Sequence, residues 1–447
     1  MRRGHPVGAA ITRELSEWRL WWARAVVMAA AALAGLTVVA FSWAGERAFG
    51  LFAAVSAAAW WSPLLWTPLC TGAIVWATRR YAPGAAGSGI PQVMAALESG
   101  VAPDRHALFV SLRLSAAKIA LTTWGLLAGL SLGREGPSVQ VAAGVMLAAQ
   151  RWLPRRSGVT AHGLLVAGGA AGIAAAFNTP LAGVMFAIEE LSRTPEQRNS
   201  GLLLTAIVLA GVIAVAANGN ATYFGIIHAS AVGLGMLLPA LLVTLASGLA
   251  GGLFARLLIN SLNPQSGEAS GMLRRRYPVR FAIACGLAVA VIGVLTDGAT
   301  FGSGYSHTRA TLAGADDLPA IYLLLKVIAT WLTTWSGVPA GIFAPALAIG
   351  AGLGDELSRL SQYPHAPALI ALGMVGFLAA VTQAPLTAFI IVMEMVDGHT
   401  MVLSLMAGAL VASGVSRLLS RPLYATLSQM QLLRLPAEPA PVSAPAR

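Results

Sequence analysis

The sequence predicts an all-α polytopic membrane protein, and three observations carry that reading. Of its 447 residues, 57% are hydrophobic and only 11% charged, with a mean hydropathy of +0.72; a soluble domain carries about 25% charged residues. The apolar residues fall in a long series of runs. Several are shorter than the ~20 residues a spanning helix needs and are interrupted by Gly or Pro, the mark of broken or tilted helices that line a site. Finally, the chain repeats itself: Lys118 and Lys326, Pro137 and Pro345, and Gly144 and Gly352 are each 208 residues apart. Two structural repeats with a site at their interface are the common plan of secondary transporters.

Taken in order, residues 1–24 carry five arginines against Glu14 and Glu17, which places the N-terminus in the cytoplasm, and Trp18, Trp21 and Trp22 read as the aromatic belt of an interfacial helix. No cleavable signal peptide is expected here. Apolar runs at 25–44 and 51–77 then cross the membrane twice, and Arg79-Arg80-Tyr81 returns the chain to its starting side. The net charge of +11 sits in short basic loops such as Arg274-Arg275-Arg276, so the positive-inside rule explains it better than nucleic-acid binding. Cys70 and Cys285 lie in apolar runs and form no metal or redox motif. The repeat divides the chain into 25–217 and 218–418, followed by a C-terminal helix over 419–434 with Tyr424 and a Pro/Ala-rich disordered tail over 435–447. Two further correspondences support the division. Pro180-Leu181 with Glu189 recurs as Pro385-Leu386 with Glu394, and Gly87-Ser88-Gly89 recurs as Gly302-Ser303-Gly304, at offsets of 205 and 215.

The stretch Gly133-Arg134-Glu135-Gly136-Pro137-Ser138-Val139-Gln140 is the focus of the function. It places a lone acid between apolar runs, where an ionised side chain is costly and usually functional. Pro opens helices and Gly permits the break before them, so Glu135 is expected where one helix ends and another begins. Free N–H groups and the positive end of a helix dipole make that an anion site. A structural Arg134–Glu135 pair is the alternative. Three other Gly/Pro breaks open onto apolar helices: Gly87–Gln92 with Ser88, Gly337–Pro345 with the backbone of Ile342 and Phe343, and Arg421–Tyr424 with a phenol. Hydroxyls, a phenol and backbone N–H groups suit a partly dehydrated halide, which a full positive charge would hold too tightly to release.

Gly-Ser-Gly-Ile-Pro at 87–91, Gly-Arg-Glu-Gly-Pro at 133–137 and Gly-Ile-Phe-Ala-Pro at 341–345 resemble, in this order, the signatures of the CLC chloride channel and transporter family. The resemblance covers nearly the whole chain. It implies two inverted-topology repeats and a homodimer with one pathway per subunit. It also implies roles for single residues: Ser88 and Tyr424 as hydroxyl ligands of the central anion, Ile342 and Phe343 as backbone ligands, Glu135 as external gate and proton carrier, and Glu190 as internal proton-transfer group. An acid at Glu190 is similar to the family's exchangers, whereas its channels carry an apolar residue there. Glu189, matched by Glu394 in the repeat, is expected to be structural. Lys118 resembles a family lysine near the pathway, with a role in holding a helix end as the alternative. Gln92 and Ala340 stand where many members have Glu and Gly. The CBS pair that follows the membrane domain in many relatives is absent, so nucleotide control through it is not expected.

The expected function is therefore exchange of chloride for protons across a bacterial inner (plasma) membrane, with both termini cytoplasmic, lipid as surroundings and no cofactor, metal or nucleic acid. A passive channel of the same family is the alternative, and Glu190 argues against it. An intramembrane hydrolase using Ser88 or Ser303 is weaker, because no His or Asp is placed as a base and no His-Glu-x-x-His motif exists.

Overall fold

The computed structural model describes residues 18–433 apart from the stretches 99–100, 103–104, 155–156, 193–199, 220–221, 226–233, 264–268, 316–320 and 363–365. The arginines before Trp18 and the tail expected over 435–447 lie outside the described residues. Among those described, the chain forms nineteen α-helices, and its only ladder contact is an isolated antiparallel bridge between Gly133 and Gly341.

Helix α1 (Trp18–Ala58) is one unbroken element of 41 residues, about 60 Å long against a hydrocarbon core of ~30 Å. The sequence suggests an interfacial helix ending at Arg24 and a break near 45–50. Instead, Trp18–Arg24 form the opening turns of α1, and the helix runs through Glu46-Arg47 to a turn at 59–61. No Gly-Pro break interrupts it, and Glu46, on an exposed face, finds an ionic partner described below. Val27, Ala31, Ala34 and Val38 are buried at helical spacing, while Leu33, Leu36 and Trp43 on other faces remain exposed.

The chain continues through α2 (Ser62–Tyr81), α3 (Ile90–Leu97), α4 (His106–Phe109), α5 (Leu112–Leu127), α6 (Glu135–Ala148), α7 (Ala161–Phe177), α8 (Pro180–Phe186) and α9 (Ser200–Asn218). The second half comprises α10 (Leu237–Leu262), α11 (Ala269–Arg276), α12 (Pro278–Leu295), α13 (Tyr305–Leu312), α14 (Tyr322–Ser336), α15 (Phe343–Ser361), α16 (Ala366–Thr382), α17 (Pro385–Met395), α18 (Val402–Leu419) and α19 (Leu423–Leu432). Among the described residues, six stretches are long and apolar enough to cross a membrane, including α1, α10 and α12.

Helices α7 and α16 are too short and too buried for that role. From Gly163 to Phe177 and from Ala368 to Thr382 every residue is buried, which fits helices that are apolar all round. They pack on α6 and α15, and small residues bring the backbones together. A Cβ on Gly172 of α7 would lie 2.5 Å from the Ser138 carbonyl oxygen of α6; one on Gly350 of α15 would lie 2.5 Å from the Gly373 oxygen of α16. The closely packed pair thus occurs in both halves and holds in place the N-termini of α6 and α15, which meet at the site.

Candidate anion site

Three backbone loops meet in the protein interior and are tied to one another. Gly133 and Gly341 exchange both N–H···O bonds, at 2.8 and 3.0 Å, joining the loop before α6 to the loop before α15. The Gly87 N–H donates to Val338 O and the Ala340 N–H to Gly87 O, both at 3.2 Å, joining the loop before α3 to the same strand-like segment. The contacts leave no room for side chains: a Cβ on Gly341 would meet Gly133 O at 2.7 Å and Pro137 Cδ at 2.8 Å, and one on Gly136 would collide with Ser88 Oγ. Gly89 takes φ +112°, which only glycine adopts readily, and packs against Gly136 O.

Around this junction lie the residues singled out from sequence. Helix α6 begins at Glu135 itself, two residues before Pro137, and α5 ends at Leu127, so a seven-residue loop precedes the site where an immediate helix-to-helix break was expected. Pro in the first turn costs no helical hydrogen bond. The Glu135 carboxyl group is buried beside the backbone N–H of Ala344 at the start of α15 and under Gly133, and its Oε2 has no hydrogen-bond partner. Ser88 and Tyr424 come together from opposite ends of the chain, because α19 packs on α3. Both hydroxyl oxygens are buried and unpartnered, an arrangement that costs stability unless something else accepts or donates there. Ile342 caps α15 and Phe343 is its first residue, so their N–H groups belong to an open helix start. The Phe343 ring stacks on Tyr424 at 5.8 Å and 9°. Glu190 is half-buried and close enough to Tyr424 to act on it through space.

The surroundings settle several open readings. Arg134 does not pair with Glu135: its Nη2 bonds Glu46 Oε1 of α1 at 2.7 Å and its Nη1 donates to Ser42 O at 2.7 Å. Lys118 braces the site. Its buried Nζ donates to Ala85 O and Gly87 O at 2.7 and 2.8 Å, fixing the loop that carries Ser88. Gln92 also matters, since Oε1 accepts from the Gly89 N–H at 2.9 Å and Nε2 donates to Ala86 O. Glu189 accepts from the N–H groups of Leu386 and Thr387 at 3.0 and 2.6 Å, capping α17. Glu394 returns the contact on α8, from Leu181 and Ala182 at 3.2 and 2.8 Å.

Sequence reasoning missed Glu46, whose partner is 88 residues away; the brace role of Lys326, which donates to Thr300 O and Gly302 O as Lys118 does in its own loop; and the π-helical turn at Ala187–Leu191 that carries Glu189 and Glu190. The Lys118–Lys326 recurrence was the available signal for the second. Single π turns inside helices occur often at functional sites.

On one side the junction opens into a cavity of about 100 Å³ lined by Ser88, Ile342, Leu258, Arg274 and Leu427. It shares Ala86, Leu262, Arg274 and Gly337 with a wider cavity of about 290 Å³ that includes Arg79 and Arg275. The arrangement suits a small anion: weak neutral donors and one buried carboxyl group at the centre, with Arg274 in the cavity beside Ser88 and further arginines towards the mouth.

Known proteins resemble the chain over most of its length. The profile of the family described as voltage gated chloride channel matches residues 70–417. The chain is 30% identical to the H(+)/Cl(-) exchange transporter ClcA of Klebsiella pneumoniae subsp. pneumoniae, over 98% of this chain and 94% of the relative, and 31% identical to the ClcA of Citrobacter koseri over 81% and 77%. Among solved structures, a slow cyanobacterial Cl-/H+ antiporter superposes with a TM-score of 0.78 at 25% identity, covering 92% of this chain and 98% of that one. A CLC-type fluoride/proton antiporter gives 0.74 at 23% identity, covering 92% and 99%.

Proposed function

The chain belongs to the voltage gated chloride channel family, and from that membership we propose that it is a secondary active antiporter exchanging chloride for protons, not a passive channel. The observation that carries the reading is the Glu135 carboxyl group at the N-termini of α6 and α15, within electrostatic reach of Tyr424, whose buried hydroxyl, like that of Ser88, has no hydrogen-bond partner. An ionised carboxylate there occupies the place of an anion. Protonation removes its charge, frees it to leave, and lets chloride take the donors it gave up. Chloride arriving displaces the carboxylate in turn, so the two ions move in opposite directions through one site. The relatives it resembles are transporters rather than enzymes.

Ser88, Tyr424 and the N–H groups of Ile342 and Phe343 hold the anion, Glu135 gates it and carries the proton, and Glu190 passes protons on from the other side. The arginine-rich mouth faces the cytoplasm by the positive-inside rule, in a bacterial inner membrane with both termini on that side. Two copies assemble, each with its own path. The chain in liposomes, with chloride and proton fluxes recorded together, tests the proposal. A chloride gradient should drive protons uphill; chloride flux with no proton movement would establish the channel instead.

A further inference from the structure

A separate cavity, of about 410 Å³, lies between the ends of α1 and α12 and the start of α13. Helix α12 runs from Pro278, which lines the arginine-rich cavity, to Gly293 and Val294, which line this one. The two spaces are therefore about 24 Å apart along that helix and lie toward opposite faces of the molecule. Three phenylalanines wall the second space. The rings of Phe52 and Phe301 meet edge to face, 4.9 Å apart at 82°, and Phe49 stacks beside Phe52 at 6.1 Å. Glycines make room for them: a Cβ on Gly293 would collide with the Phe301 ring, and one on Gly129 with the Phe52 ring. Trp60, exposed in the turn after α1, adds a fourth ring.

The field in this space is negative. Asp297, in the turn that follows α12, is its acid, and among the described lining residues there is no lysine or arginine. Helices α1 and α12 both bring their C-terminal ends to it, and neither has a basic residue in its last turn to offset the negative end of the dipole. Helix α13 starts on the same space and opposes them, but it has only eight residues, and its Tyr305 N–H is engaged by Ser303 Oγ at 3.3 Å. His307, the other titratable group on the wall, lies 6.3 Å from the Tyr322 ring. Such a field repels a halide, so this space is no branch of the anion path. A hard metal ion wants several oxygen ligands, which one carboxylate among aromatic rings does not supply. An alkylated ammonium suits both parts of the wall: the aromatic faces attract its charge and cover its methyl groups, and the carboxylate balances it. We propose that this cavity binds a quaternary ammonium group, either a soluble cation such as choline or the choline headgroup of a phospholipid. The proposal stands on the cavity alone and is independent of the chloride path.

Calorimetric titration of the purified, delipidated full-length protein in a non-ionic detergent, with choline as the probe, tests the binding. One saturable event per chain is expected. Dimethylbutanol, in which carbon replaces the charged nitrogen, should bind at least about tenfold more weakly, since it keeps the shape and loses the attraction to the rings and the carboxylate. Asp297→Asn should weaken choline about fivefold, the scale of one unit charge acting at ~4 Å through water. Asn keeps the shape and tolerates the φ of +49° found there. Trp60→Leu, at an exposed position, should cost a similar factor through the lost ring face. Elution as wild type on size exclusion shows that each variant is folded. The same titration in micelles doped with phosphatidylcholine or with phosphatidylglycerol separates the two sources. Choline binding weakened by phosphatidylcholine alone would identify the headgroup as the occupant, and binding indifferent to both lipids would identify a soluble cation. Weakening by phosphatidylglycerol would show that acyl chains fill the space and would overturn the ammonium site. Absence of saturable choline binding would overturn it too, as would equal binding of dimethylbutanol or binding that either substitution leaves unchanged.

Discussion

At Glu135 one carboxyl group meets two demands that conflict. It is buried at the start of α6, where helix N–H groups favour a negative charge, yet Oε2 has no donor. A group held this incompletely can leave, which is what a gate requires. Glu135→Gln keeps the shape and removes the charge, so the side chain mimics the protonated state permanently. Chloride should still pass while coupled proton movement falls at least about tenfold, a loss of ~1.4 kcal/mol of coupling or more. Proton and chloride fluxes measured on the same vesicles decide it, and retained coupling would show that another group carries the proton. Glu135, Ser88 and Tyr424 were legible in the sequence because each sits at a Gly/Pro break, where backbone geometry and side-chain chemistry coincide. Glu46 was not. Its meaning lies in an ion pair with Arg134 across 88 residues, and no periodicity reports such a contact.

The helix ends show how the two halves are joined. Glu189, in the π-helical turn that follows α8, caps α17, and Glu394, near the end of α17, caps α8, so each acid satisfies backbone donors of the other half. Their recurrence at matching places marked them as structural, but which helix each would cap was not readable, because the partner is set by the packing of α8 on α17. The lysines recur in the same way but act within one half: Lys118 and Lys326 each hold a glycine loop of their own half, through helices α5 and α14. Glu394→Ala leaves two helix-start N–H groups without their carboxylate, at a cost of ~1–3 kcal/mol. The midpoint of heat-induced aggregation in detergent should fall, while chloride binding by the folded protein persists. An unchanged midpoint would mean that the cap is dispensable, and lost chloride binding would mean that Glu394 reaches the site.

For the molecule as a whole, hydropathy made the all-α membrane class readable and the recurrences revealed two halves. Neither showed that α7 and α16 would be enclosed on every side, since an apolar run reads alike whether lipid or protein covers it. That enclosure has a functional consequence. With apolar helices enclosing the centre, a proton crossing the molecule needs ionisable stations at both ends of the barrier, because a bare charge there is too costly. Glu135 stands at one end of the site, against α15. Glu190 stands apart from it, half-buried in the π-helical turn and within electrostatic reach of Tyr424. It does not line the arginine-rich cavity that leads to Ser88. Protons and chloride should therefore share the path near Glu135 and part company beyond Tyr424. Substitution can separate them: Glu190→Gln should abolish uphill proton movement driven by a chloride gradient, while chloride flux stays within about twofold of wild type, under ~0.5 kcal/mol. Loss of both fluxes would mean that the two ions use one route throughout. Normal pumping by Glu190→Gln would make Glu190 a helix-end charge and leave the inner station to another group.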